Sequence, residues 1–134
     1  MWISRGSLLA LLTAAATCAA PAQASDGNPG REAYFRYCSS CHGTDGRGGG
    51  EVAKSLRKKP ADLTQLAKRN GGTFPQAEVK EFIDGRKRLA AHGSSAMPVW
   101  GKVFAEEKSY ESPDAHTQSQ VQLIVDYLAT IQTK

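Results

Sequence analysis

Apolar positions along this chain recur at helical spacing, and nothing alternates with the period of two that marks a half-buried strand. The clearest stretch is SQVQLIVDYLATIQ, where Val121, Ile124, Val125 and Leu128 form one stripe with Tyr127 beside it. An earlier helix opens at Asn28-Pro29, a capping side chain followed by proline at the first helical position. It runs through GREAYFRYC, and Gly30, Tyr34 and Cys38 fall four apart on one face. Between these ends lie two shorter helical segments. In DLTQLAKRNGG, Asp62 caps, Leu63 and Leu66 share a face, and Asn70-Gly71-Gly72 stops the run. In PQAEVKEFIDG, Pro75 opens, Val79, Phe82 and Ile83 face inward, and Gly85 closes.

The connections are long. Five of the eight residues from Gly43 to Gly50 are glycine, which predicts a mobile loop after the first helix. No Lys-Ser or Lys-Thr pair follows it, so it is not a phosphate-binding loop. EVAKSLRKKP reads as irregular or as a single helical turn ended by Pro60, and residues 86–116 show no strand and little helix. No internal repeat is visible. The expected fold class is all-α, one domain with long loops.

The first residues follow a different grammar. MWISRGSLLALLTAAATCAAPAQA carries one early charge, Arg5, then an apolar run from Leu8 to Ala16, then Ala22-Gln23-Ala24. This is the pattern of a secretory signal peptide, with cleavage expected after Ala24. The apolar run is short for a membrane span, so no stable membrane insertion of the mature chain is expected. Cys18 is discarded with the peptide. The expected organisation is therefore residues 1–24 as signal peptide and 25–134 as the functional domain, located in the periplasm.

Charge adds little to the picture. The whole chain carries +4, and losing Arg5 leaves +3. The cations cluster at Arg57-Lys58-Lys59, Lys68-Arg69 and Arg86-Lys87-Arg88, without interleaved aromatics, which excludes a nucleic-acid groove. Forty per cent of the residues are hydrophobic, a figure inflated by the leader, so the mature core is thin. A buried apolar cofactor would thicken it.

The candidate chemistry is in RYCSSCHGTDG. Cys38 and Cys41 are separated by two residues, and His42 follows at once. Four readings compete. A disulfide across so small a loop constrains the unfolded chain little. Zinc needs about four ligands, and beyond these three only His92 and His116 remain as histidines. A redox dithiol needs a strand-rich βαβ setting, which is lacking. Covalent haem attachment needs two thiols on one helical turn to reach the two vinyl groups, and a histidine immediately after to sit beneath the iron. The motif, the export signal and the helical grammar agree on this last reading. The second axial position then falls to Met97, the one methionine left after cleavage, 55 residues beyond His42 and stiffened by Pro98 in SSAMPVWG. His92, five residues away, is its competitor; otherwise His92 and His116 read as exposed loop histidines.

Together these residues resemble the class I c-type cytochromes, the small monohaem kind, over Gly30 to Ile131. Gly30, Tyr34 and Cys38-Ser39-Ser40-Cys41-His42 match the family's N-terminal helix; Ile124, Tyr127 and Leu128 match the helix that crosses it; MPVWG matches the methionine loop. The resemblance implies one covalent haem c, bound by Cys38, Cys41, His42 and Met97, with His42 and Met97 on the iron. It also implies a proline carbonyl that accepts a hydrogen bond from the ligating histidine. Pro60 is the candidate, although it lies 18 residues past His42, farther than in compact members. Trp100 would donate to a haem propionate or simply pack its loop, and Phe74, Phe104 and Tyr110 would form pocket wall or core.

The expected function is electron transfer rather than catalysis, in a monomer that meets redox partners such as a dehydrogenase, an oxidase or a cytochrome complex. A haem-based ligand binder or peroxidase-like protein with a labile sixth ligand is the alternative, and a haem-free zinc or dithiol protein a more distant one.

Overall fold

A computed structural model describes residues 27–87 and 97–133, and among these every regular element is helical. The first helix, α1 (Pro29–Tyr37), begins as its sequence dictates: the Asn28 side chain accepts the Arg31 N–H at 3.0 Å, with Pro29 at the first position. It hands over at Cys38 to the single turn α2 (Ser39–His42), closed by Gly43 at φ +82°. A 3-10 turn follows at Glu51–Ser55.

The segment expected as one helix from Asp62 is instead broken. Asp62 caps as predicted, accepting the Thr64 N–H at 2.9 Å, but it starts a 3-10 turn, Leu63–Gln65, before α3 (Leu66–Arg69). Next come α4 (Gln76–Asp84), closed by Gly85 at φ +86°, and α5 (Trp100–Glu106). The last helix, α6 (Pro113–Thr130), is capped by the Ser112 hydroxyl, which accepts the Ala115 N–H at 3.3 Å. Residues 86–116 thus hold more helix than their pattern predicts. The first turns of α6 are polar, and α5 is seven residues with a glycine inside and no capping side chain, so neither shows apolar periodicity.

The core forms where α6 lies across α1, α4 and α5. Val121, Ile124, Val125 and Leu128, the stripe read from the sequence, are at most 2% exposed. Tyr34 from α1 and Phe104 from α5 are fully buried beside them, with Val79 and Ile83 of α4. Each such side chain contributes about 1.5–3 kcal/mol on leaving water. The crossing of α1 and α6 is close because Gly30 has no side chain: a methyl group there would strike the Leu123 carbonyl oxygen. Tyr127 also packs at this point, its ring 5.2 Å from that of Tyr34.

Candidate functional site

Helix α1 delivers Cys38 at its end, and one turn later α2 delivers Cys41 and His42. The turn is held by its own backbone, with the His42 N–H donating to the Cys38 carbonyl at 2.9 Å. Both cysteines are free thiols, Cys38 buried and Cys41 half-buried. Burial, with the nearby Cys41 adding to it, pushes the Cys38 thiol up to about 12. Burial thus favours the protonated thiol over the thiolate.

His42 is oriented through its ring. Its Nδ1 lies 2.9 Å from the Ala61 carbonyl oxygen. A carbonyl only accepts, so Nδ1 carries the proton and Nε2 keeps its lone pair. Burial lowers the imidazole pKa, outweighing the opposing effect of the Ala61 bond, so the ring is neutral. A neutral imidazole with one nitrogen tied to a carbonyl and the other available is a metal ligand with its outer partner in place. The bond falls one residue past the sequence-based expectation: Ala61 and not Pro60 supplies the carbonyl. The Pro60 carbonyl is turned instead against Gly48, at φ +79°, where a methyl group would strike it.

The glycine loop that holds this arrangement is stitched down rather than loose, contrary to the mobile loop its composition predicts. Gly48 N–H donates to the His42 carbonyl at 2.7 Å, Gly50 N–H to that of Cys41 at 3.1 Å, and the Gly46 carbonyl accepts Leu63 N–H at 2.7 Å. Gly50 lies on the backbone of Ser40 and Cys41, too close for any side chain. From the core side, Tyr34 donates its hydroxyl to the Gly43 carbonyl at 2.6 Å, and burial keeps that phenol protonated far above its ordinary range.

Cys38, Cys41 and His42 therefore stand together. Met97 stands at the start of the segment leading into α5, 36% exposed, and His92 lies outside the described residues. Trp100 and Phe104 stack with ring centroids 5.9 Å apart, and Tyr37 meets them edge-on at 5.5 and 4.9 Å. Phe104 is core and Phe74 packs against the core, but Tyr110 is fully exposed, so it is neither core nor pocket wall. His116 is not an exposed loop histidine: it is half-buried in the first turn of α6, with Nε2 3.3 Å from Glu107. The opposite oxygen of Glu107 accepts the Tyr37 hydroxyl at 2.8 Å. Nothing in the sequence pattern announces this cluster, since Tyr37 and Glu107 are 70 residues apart.

Two thiols on one turn, followed by a neutral histidine whose Nε2 is free, form a donor set that fits a haem c. Among the described residues no group of three or more histidine, cysteine or carboxylate side chains is placed to hold a bare metal ion. The family model described as cytochrome c oxidase, cbb3-type, subunit III matches residues 25–128. No curated protein and no solved structure matches the chain. The family match begins just ahead of α1 and ends within the last turn of α6, so it takes in all but the end of the helical domain. The chain belongs to this family of c-type cytochromes and is a haem c electron-transfer protein.

Proposed function

We propose that the protein is an exported monohaem carrier that shuttles single electrons between redox proteins in the periplasm and catalyses no reaction of its own. Its leader is removed after Ala24, and the mature chain works as a monomer. Cys38 and Cys41 hold the haem by thioether bonds, and His42 and Met97 ligate the iron. The observation that carries this reading is the His42 ring, fixed by the Ala61 carbonyl on the same turn that presents both thiols. When bound, the haem supplies an iron that accepts and gives up one electron. The protein fixes His42 through Ala61 and offers a thioether that favours the ferrous state.

The family's description names an oxidase, and an oxidase is the acceptor class we propose. Among the described residues no helix is long and apolar enough to cross a membrane. Of the basic clusters, Arg57-Lys58-Lys59 is exposed and follows the turn that rests on Ser40 and Cys41 through Gly50. The cluster around Arg86 and Lys87 is partly neutralised: Arg86 pairs with Asp84, and Lys87 with Glu78 at 2.9 Å. We propose that residues 57–59, exposed and following that turn, contribute to partner steering. Such encounters bury little area and exchange quickly.

The test is an absorption spectrum, oxidised and reduced, after acid–acetone extraction. Haem that resists extraction, with the weak far-red sulfur-to-ferric band, is the expected result. Extractable haem or none refutes attachment. The exposure of Met97 favours one second reading, a labile sixth position that admits small ligands. Carbon monoxide added to the reduced protein separates the two: no spectral change is expected of the carrier, and a shift within seconds would establish the ligand binder.

A further inference from the structure

Beyond the end of α6 the chain does not trail away. Gln132 makes three hydrogen bonds with its side chain. Its Oε1 accepts the Ala67 N–H at 2.9 Å; its Nε2 donates to the Leu63 carbonyl at 2.8 Å and to the Leu128 carbonyl at 2.7 Å. Thr133 adds its own N–H to the Thr64 carbonyl at 2.9 Å and accepts from Gln65 Nε2 at 2.8 Å. All of these partners except Leu128 lie in residues 63–67, the segment directly after Ala61. Leu63 is thus gripped on both sides, its N–H by the Gly46 carbonyl at 2.7 Å and its carbonyl by Gln132. Two residues back, the Ala61 carbonyl receives His42 Nδ1. The family match ends at residue 128, so this strap lies outside it.

We propose that Gln132 is a positioning residue for the axial histidine: by clamping Leu63 it fixes the Ala61 carbonyl on His42 Nδ1 and so sets the reduction potential. The inference rests on His42 being the iron ligand. A hydrogen bond from Nδ1–H to a carbonyl makes the imidazole a stronger donor, which stabilises the ferric state and holds the potential down. Without the amide of Gln132, residues 61–63 keep the Gly46 contact, the Asp62 cap and the Arg69 guanidinium on the Asp62 carbonyl, but the Leu63 carbonyl loses its side-chain donor. The Ala61 carbonyl then spends more time off the ring, the donor weakens and the potential rises. One net hydrogen bond corresponds to a factor of about 5 to 10 in such an opening equilibrium.

The experiment compares haem-loaded wild type with Gln132→Leu, Gln132→Asn and Thr133→Val. Two quantities are read: the midpoint potential, and the exchange rate of the His42 Nδ1 proton by NMR in the reduced protein. Gln132→Leu should raise the potential and speed the exchange about 5- to 10-fold. Gln132→Asn, an amide one methylene shorter, should fall between; it carries the test if the leucine variant does not accumulate. Thr133→Val removes the hydroxyl contacts to Thr64 and Gln65 while leaving the Leu63 carbonyl gripped. It should lower the melting temperature and move neither readout. If the glutamine variants behave like Thr133→Val, less stable with unchanged potential and exchange, the strap is structural and the proposal fails. A wild type whose spectrum lacks a nitrogen axial ligand fails the His42 reading itself before any variant is compared.

Discussion

Single residues around the cysteine-bearing turn act mainly through backbone carbonyls. Tyr34 is fully buried, and its hydroxyl reaches the Gly43 carbonyl at 2.6 Å, where α2 ends. That carbonyl also accepts the Gly46 N–H at 3.2 Å, so losing the phenol would not orphan it. Tyr34→Phe should therefore cost the net value of one hydrogen bond, about 1 kcal/mol, and not the larger penalty of a buried unpaired group. Denaturant unfolding of the two proteins measures this directly; a loss above 3 kcal/mol would mean that the hydroxyl organises the whole loop. At this scale the sequence was legible where chemistry is carried by side chains at fixed local spacing. Cys38, Cys41 and His42 were read correctly as one turn because two intervening residues leave little geometric freedom. The carbonyl on His42 was misplaced by one residue, because every residue has a carbonyl and nothing in the letters Pro60-Ala61 says which one turns inward. Gln132 was invisible for the same reason: apart from the Leu128 carbonyl, its partners are backbone atoms more than 60 residues away.

Elements meet at points the periodicity does not mark. The stripe of α6 was legible because four large aliphatics repeat over it, whereas α5 was missed: its buried residues are Gly101 and Phe104, with Trp100 packed against the core, and these make no apolar repeat. What ties α1, α5 and α6 together at their polar ends is Glu107, which accepts from Tyr37 of α1 and pairs with His116 of α6. Burial by itself would raise the Glu107 pKa. The hydrogen bonds from Tyr37 and His116, with the charge of Arg36, outweigh it and leave the carboxyl below its ordinary value. Asp62 is depressed too, chiefly by the Thr64 hydroxyl. A depressed folded-state pKa means that stability is fully present above the unfolded value, about 4.3 for glutamate, and is lost as the pH falls through the folded value. Glu107→Gln should therefore be less stable than wild type at pH 7, and the gap should close as the pH is lowered below about 4. Denaturation midpoints measured from pH 7 to pH 3 decide the matter. A gap that stays constant over that range would assign the loss to packing and not to the carboxylate.

For the molecule as a whole, the all-α class followed from the residue pattern, and the crossing of the terminal helices from the family resemblance. The closeness of that crossing follows from Gly30, as the family resemblance implied, although the contact is made by the Leu123 carbonyl and Tyr127, with Ile124 and Leu128 buried beneath. The net charge of +4 says only that the protein is basic; the fold says where that charge acts. Arg86 pairs with Asp84 and Lys87 with Glu78, and Arg57-Lys58-Lys59 is exposed in the segment between the cysteine-bearing turn and the Ala61 carbonyl. A patch of this kind raises the encounter rate with an anion, by 10-fold or more where the field is focused, and salt screens it over about 10 Å at 0.1 M. Arg57→Glu combined with Lys59→Glu should slow oxidation of the reduced protein by ferricyanide, an anion, and speed its oxidation by a cationic cobalt(III) complex. The midpoint potential and the spectrum should not change, because neither side chain is part of the site. Stopped-flow traces at 10 mM and 500 mM salt complete the test, since the difference between wild type and variant should shrink as salt rises. Equal slowing with both reagents would point to a changed haem site, and no change with either would move the docking face away from residues 57–59.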